Sequence, residues 1–349
     1  MISIKKCSLT EIHAGMKLGK AIMTEMGTIL LAENTMLTDA LIAKLPCWGI
    51  SEVFISQQEV FDVLKDKRRQ FVVERDKFIV TVAEIFNLLK DSEQLPVAQL
   101  HDFVNEMLMP LLLNSDAVFS YLHVMKYKGE YLFRHSINVA FFAGIMGKWL
   151  NLPKTELQQL LMAGLLHDIG KMRIPIAILN KPDKLLPAEM EIMKQHTFWG
   201  YEILQNADNI DEIVKLGVLQ HHERLDGNGY PASLKVEDIS QIARIIAVAD
   251  VYDAMISQRV YHKAISPIQV MKKIYQKVFG FMDSQICMLF IQYAKKYLVG
   301  SLVKLSNGLI AKIIYIYNDG FLEPIVQMMT GECISLEEKS EIKMVEFIC

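Results

Sequence analysis

The sequence has few cysteines, no long apolar run and no surplus of positive charge. Its five cysteines, Cys7, Cys47, Cys287, Cys333 and Cys349, are scattered and form no Cys-x-x-Cys pair. That spacing excludes a disulfide framework and a zinc ribbon, and the default is a reducing cytoplasm with the thiols as bystanders. Apolar stretches such as Val139–Ile145 and Leu160–Leu166 fall well short of the roughly 18 residues a membrane span requires, so no span is expected. Lys5 and Lys6 are not followed by an apolar segment of the signal-peptide kind. Thirty-seven basic against 40 acidic side chains leave a formal charge of −3. Proteins that bind nucleic-acid polymers usually carry a basic excess that displaces counterions, and this chain does not. Repeats and low-complexity segments are missing too. What the 349 residues do hold is 52% apolar side chains, which excludes disorder over most of the chain and suits about two or three domains.

Periodicity then divides the chain. Residues 1–56 lean towards β-structure, with short strands at Ala21–Thr24, Ile29–Leu31 and Val53–Ile55, and Thr38 placed to cap a helix over Asp39–Leu45. Residues 57–98 form a connector. Phe61, Leu64, Phe71, Phe78, Val82, Ile85 and Leu89 recur there at helical spacing among many charges. This is either an arm through which two copies could pair or a solvated helix packed on its own domain. Residues 99–298 read as helix after helix. One of these helices is announced by Ser266-Pro267-Ile268-Gln269, with an N-cap serine, a first-turn proline and a glutamine at the capping-box position. Residues 299–349 return to a strand period around Val303/Leu305, Ile310–Tyr317 and Ile325–Met328, with a turn at Asn318-Asp319-Gly320. The expected fold is mainly α: an all-helical core with a small N-terminal β module and a short C-terminal β appendix.

The chemistry gathers in the core. His135 shares a helical face with Val139, Phe142, Met146 and Trp149. His167-Asp168 end the apolar helix Leu157–Leu166, and His196 lines up with Ile192, Met193, Gly200 and Ile203. His221-His222 end a helix whose inner face carries Ile213, Val214 and Val218, and Asp250 sits among Ala243, Ile246, Asp253 and Ala254. A single histidine on an apolar face is usually a hydrogen-bonded core residue. Asp168 and Asp250 shift the balance, because a buried ionised carboxylate costs several kcal/mol unless it is paired or binds a cation. Imidazole and carboxylate together suit Fe, Mn or Zn, and seven ligands are too many for one tetrahedral ion. With one aspartate bridging they fit two ions about 3.5–4 Å apart, the spacing used for in-line phosphoryl displacement.

His167-Asp168-Ile169-Gly170-Lys171 resembles the HD-x-G-K signature of HD-domain phosphohydrolases. His221-His222-Glu223 followed by Asp226-Gly227-Asn228-Gly229-Tyr230-Pro231 resembles the HHE-x-x-DG-x-GYP signature of the HD-GYP branch. Ala249-Asp250-Val251-Tyr252-Asp253-Ala254 and Arg259-Val260-Tyr261-His262 are similar to that family's later segments, so the resemblance runs from about residue 107 to 298. It implies a cyclic di-GMP phosphodiesterase that yields pGpG, as family members do, often going onward to GMP, using two divalent ions, Fe or Mn favoured. Carried over position by position, His135, His167, Asp168 and Asp250 hold one ion. Asp168 bridges to a second ion held by His196, His221 and His222. A hydroxide between the ions would be the nucleophile. Lys171 would contact the scissile phosphate, Arg259 and His262 a phosphate or guanine edge, and Gly229 and Tyr230 the pocket rim.

Two departures qualify the likeness. Members with a third metal carry a glutamate four residues before the first metal-binding histidine, where this chain has Tyr131, with Glu130 one place off. Two ions are therefore expected. Val260 and His262 replace the family's proline and final basic residue, which would weaken one phosphate contact or make it pH-dependent, since histidine is charged only near or below pH ~6.5. The competing readings are a non-cutting cyclic di-GMP sensor, a phosphohydrolase for an adenine-containing cyclic dinucleotide, and an interaction module working through the connector. The 20 methionines read as core filler, and His13, His101 and His123 have no partners at metal-ligand spacing.

Overall fold

The computed structural model describes residues 4–9, 11–12, 14–23, 29–56, 77–89, 94–113, 119, 131–257, 265–317, 322–328, 330–339 and 341–348. The connector segment 57–76, Glu130, the Asn318–Gly320 turn, Arg259 and His262 lie outside the described residues. Contacts divide the chain into two compact units, Met1–Val72 and Val73–Cys349.

The first unit is a small β module. Strand β1 (Ile4–Ser8) pairs antiparallel with β4 (Glu52–Ser56), and β2 (Ile22–Met23) pairs with β3 (Ile29–Leu31). The two-residue alternation of β4 buries Val53 and Ile55 against Cys7, Leu18, Leu37 and Leu45. Thr38 caps α1 (Asp39–Lys44) by accepting from the Leu41 amide at 3.2 Å, a bond that satisfies one of the orphan donors of the first turn.

The second unit is helical, with a sheet at its end. Residues 77–89 are helical (α2). A second helix (α3) covers Val97–Asp102, a π-helical stretch Phe103–Leu108, and Met109–Leu113. Helices α4 (Tyr131–Trp149) and α5 (Lys154–Leu166) form its centre. From Leu160 to Leu166 every residue of α5 is buried, as it is from Arg134 to Met146 of α4, the pattern of helices enclosed on all sides rather than amphipathic surface helices. A 3-10 turn at Ile169–Arg173 leads to α6 (Ile176–Leu179), α7 (Pro187–Lys194), α8 (His196–Gln205) and α9 (Glu212–Gln220). Helix α10 (Gln241–Ile256) begins at a Ser240 cap and buries Ile242, Ile245, Ile246 and Val248. Its Arg244 donates to Asp283 at 2.8 Å, the residue that caps α12 (Ser284–Leu298).

Helix α11 (Pro267–Phe281) starts as its sequence foretells, with the Ser266 hydroxyl accepting from the Gln269 amide at 3.3 Å. The chain ends in an antiparallel sheet of five strands in the order β8-β7-β6-β5-β9. These are β5 (Leu302–Leu305), β6 (Ile310–Ile316), β7 (Pro324–Met328), β8 (Cys333–Ser335) and β9 (Met344–Ile348). Lys272 of α11 pairs with Glu323 beside β7 and ties the sheet to the helices. The molecule is thus mainly helical, with small sheets near both ends. No helix among the described residues is long and apolar enough to cross a membrane.

Candidate metal centre

Five helices deliver the seven residues singled out in the sequence, and five of the seven stand at or beside helix ends. His167 caps the C-terminus of α5 and Asp168 opens the 3-10 turn. His196 is the first residue of α8, His221 caps α9, and His222 follows it. His135 and Asp250 come from within α4 and α10. The sequence reading placed His196 on one continuous face with Ile192 and Met193. Instead the helix stops at Lys194 and a new one starts at His196.

The break has a chemical consequence. The last turn of a helix leaves carbonyls without partners, and three imidazoles use them. Nδ1 of His167 donates to the Gly164 carbonyl at 2.8 Å, His196 to Met193 at 2.7 Å, and His221 to Val218 at 2.7 Å. In each case Nδ1 carries the hydrogen and the Nε2 lone pair is left to face its neighbours.

Those lone pairs meet the carboxylates. Nε2 of His196 lies 3.3 Å from Nε2 of His221 and 3.4 Å from Asp168 Oδ1. On the other side of Asp168, Oδ2 lies 3.3 Å from His167 Nε2 and 3.7 Å from His135 Nε2, which is itself 3.1 Å from Asp250 Oδ1. Lys171 Nζ donates to Asp168 Oδ2 at 2.5 Å. Three sets of donor atoms lie within 4.8 Å of one another: His196, His221 and His222; His135, His167 and Asp250; and His167, Asp168 and His221. Asp168 stands between the first two sets. His167 Nε2 and Asp168 Oδ1 are buried without a hydrogen-bond partner, a state that costs about 1–3 kcal/mol per group. A divalent cation satisfies both, so the donor set fits metal ions.

The electrostatics agree. Burial foremost lowers the His196 pKa to about 4, and burial together with the neighbouring imidazoles holds His221 well below 6.5. Burial also takes His222 well below its usual value. Neutral imidazoles are the form that ligates. Burial alone would raise Asp168, yet Lys171 first, then His167 and His196, keep it well below the carboxylate range. Burial pulls the same way on Asp250, and the His135 hydrogen bond overrides it. His135 is the exception among the imidazoles. Burial would lower it, but hydrogen bonds and charge from Asp250 and Asp253 lift it to about 9.

Beside the centre, the Tyr230 ring stacks on His222 with centroids 4.7 Å apart and planes 26° apart, and Lys194 Nζ lies 5.7 Å from the Tyr230 centroid. Gly229 is required by packing: a Cβ there would come within 2.3 Å of the Arg224 amide nitrogen and 2.4 Å of the Glu223 Cα. The carboxylate of buried Glu223 accepts from the amides of Ala232 at 2.7 Å and Leu234 at 2.9 Å, folding the loop back on its start.

All seven candidate ligands and Lys171 are therefore brought to one place, and Tyr230 and Gly229 lie at its edge. The sequence reading assigned no role to Glu223, Asn138 or Asp253. In the sequence Asp253 is one more carboxylate three residues after Asp250, within a segment that resembles the family's, and two of its partners, His135 and Asn138, lie more than a hundred residues away. A cavity of about 630 Å³ lined by Glu84, Ile85, Asp102, Phe103, Glu106 and Met107, among others, shares no residue with this centre.

Residues 113–286 match the family model for the HD domain. The chain belongs to the HD-domain family, whose members are metal-dependent, and the cluster just described has the donors to hold metal. Over 247 residues it is 33% identical to a cyclic di-GMP phosphodiesterase of Pseudomonas aeruginosa, covering 71% of this chain and 59% of that one. Over 176 residues it is 35% identical to a 3'3'-cGAMP-specific phosphodiesterase of Vibrio cholerae, covering 50% and 41%. The chain spans about half the length of the curated relatives it matches. An HDG"Y"P protein from Bdellovibrio bacteriovorus shares the fold with a TM-score of 0.50 at 16% identity, over 84% of this chain and the whole of the other.

Proposed function

We propose that this protein is a metal-dependent phosphodiesterase that opens cyclic di-GMP to pGpG and carries some of it on to GMP. The observation that carries the reading is the position of Asp168 between two sets of donors, with its Oδ1 and His167 Nε2 buried and unpaired. His135, His167, Asp168 and Asp250 would hold one ion, and Asp168, His196, His221 and His222 the other, with Fe or Mn favoured by the mixed imidazole and carboxylate set. Divalent ions bound there would activate water for in-line attack and offset charge on the phosphodiester.

The chain's own residues do the rest. Lys171 reaches the centre from a partly exposed position, so its ammonium can leave Asp168 for a phosphate oxygen and stabilise the charge that develops there. Tyr230, packed on His222, makes a rigid aromatic wall beside the reacting group. Glu223 and Gly229 hold that wall in place. The family likeness assigns Arg259 and His262 to a phosphate or guanine edge. The resemblance to a relative named as a cyclic di-GMP phosphodiesterase supports this choice of substrate.

A second reading, hydrolysis of 3'3'-cGAMP, is favoured by the 35% identity to the Vibrio enzyme. One experiment tests both. Protein reconstituted anaerobically with Fe(II) or Mn(II) is given each dinucleotide beside Asp168→Ala, and linear and mononucleotide products are resolved over time. Turnover of cyclic di-GMP by the parent and none by the variant is the expected result. Tight binding without cleavage would replace the enzyme by a sensor, and cleavage of 3'3'-cGAMP alone would move the substrate.

A further inference from the structure

Of the four histidines whose Nδ1 partners are known, His135 differs. His167, His196 and His221 each donate to a main-chain carbonyl three residues back, because each stands at a helix end or beside one. His135 lies inside α4, where the corresponding carbonyls are taken up by the helix ladder. Its Nδ1 instead donates to Asp253 Oδ2 at 2.6 Å, across 118 residues of chain.

Asp253 is fully buried on α10, three residues beyond Asp250 and so on the same helical face. Its second oxygen, Oδ1, accepts from Asn138 Nδ2 at 2.8 Å and from the Ser257 hydroxyl at 3.2 Å. Asn138 comes one turn after His135, and Ser257 one turn after Asp253. Two helices are thus clasped through a single carboxylate. The carboxylate oxygen is the acceptor of this pair, so the hydrogen between the two groups sits on His135 Nδ1. Nε2 is then directed at Asp250 and Asp168, 3.1 and 3.7 Å away.

We infer that Asp253 is a positioning residue of the metal centre: it fixes the His135 tautomer and ring plane, so that one ion pocket depends on a carboxylate that touches neither ion nor substrate. The pocket of His196, His221 and His222 has no such dependence, since main-chain carbonyls orient two of its rings. The two ion positions are therefore unequal by construction. Partners of this kind behind a metal-bound histidine orient the ring and raise its basicity, and losing one typically costs about 10–100-fold in metal affinity. The inference rests on the metal-centre reading given above.

The test is a Mn(II) titration of the full chain, with free ion followed by its electron paramagnetic resonance signal and no nucleotide present. Asp253→Asn keeps the volume but removes the charge and one acceptor oxygen. The parent is expected to take up two ions, and Asp253→Asn to hold one of them about 10–100-fold more weakly while the other is unchanged. Ser257→Ala leaves the Oδ2 bond to His135 in place and is expected to bind both ions within about twofold of the parent. Parent-like affinity for both ions in Asp253→Asn would overturn the inference, and so would an equal weakening of both, which marks a general loss of structure.

Should the variant fail to fold, nitrogen NMR of histidine-labelled parent loaded with diamagnetic Zn(II) decides, with His135→Gln identifying the resonance. A hydrogen on His135 Nδ1 is required, and its absence overturns the assignment. Because ion binding is read without nucleotide, a protein that loads two ions yet cleaves no dinucleotide would sink the proposed activity and leave this inference standing.

Discussion

Gly170 packs against His196 so closely that a Cβ at position 170 would lie 1.9 Å from the His196 carbonyl oxygen and 2.5 Å from the Gly200 amide nitrogen. The turn that carries Asp168 and Lys171 is therefore pressed backbone to backbone onto the helix that supplies His196. The glycine of the HD-x-G-K signature sets the spacing between the Asp168 turn and the helix of His196, and it does so by having no side chain.

Gly170→Ala is accordingly a packing variant with an effect on the site. Both neighbouring atoms belong to main chain, which cannot swing aside, so the cost should be at or above the upper end of the usual overpacking range of about 1–3 kcal/mol. Thermal unfolding of the metal-free variant should begin several degrees below the parent. A melting temperature within a degree of the parent would show that the turn and α8 part freely.

Lys171→Met should separate binding of ions from use of them. The ammonium donates to Asp168 but is not one of the seven donors. Metal content by atomic absorption should remain that of the parent, while turnover falls by roughly 10²–10³, the usual cost of losing one charge-stabilising donor. A fall of less than threefold would remove Lys171 from the reaction.

Glu223→Gln tests the loop. Glutamine has one acceptor oxygen where the carboxylate has two, so either the Ala232 or the Leu234 amide loses its partner. The penalty for a buried orphan donor is about 1–3 kcal/mol, and it falls on the segment that holds Tyr230 against His222. Hydrogen exchange at residues 229–234 should quicken and KM should rise more than kcat falls. Unaltered exchange there would mean that the loop is held by other contacts.

Acid should destabilise the metal-free protein. His196 is held at about 4, with burial the main cause, and His221 and His222 lie well below 6.5 for the same reason. In the unfolded chain all three titrate near 6.5. Below that pH the unfolded chain takes up protons that the folded chain refuses. Stability is therefore complete above pH 6.5 and lost towards pH 4, by up to about 1.4 kcal/mol per pH unit for each histidine. His135, raised to about 9, works in the opposite window: its contribution is complete below pH 6.5 and is lost as pH rises through 9. Urea midpoints in excess chelator should be clearly lower at pH 5 than at pH 7.5, and equal midpoints would contradict the neutral state of the three imidazoles.

The legible parts of this site are the ones marked by local pattern. His167-Asp168 and His221-His222 follow apolar helical runs, so periodicity locates both the helix and its end. Asp250 is conspicuous as a carboxylate among alanines and isoleucines. What periodicity misses is any feature decided by a distant partner. Asp253 looks like another polar residue on α10 until α4 is packed beside it, and Glu223 acquires its purpose only when residues 232 and 234 return to it. The break before His196 is invisible because Pro187 to Gln205 keeps a helical rhythm throughout. At the end of the chain the apolar alternation of β5, β6 and β7 can be read directly. Strand β8 is short and flanked by charges, and Glu346 interrupts β9, so pairing rather than propensity makes them strands.

The seven donors span residues 135 to 250; six are buried and His222 is half-buried. Several helices supply the donors, so turning one side chain would remove one bond to an ion and leave the others. Release would need several of these bonds to break together, so the dwell time of an ion should depend on motions of the helical core as well as on the strength of any one bond. Isotope exchange at the centre would then serve as a clock for motions of the surrounding helices, running slow in a tight core and faster wherever a substitution loosens it.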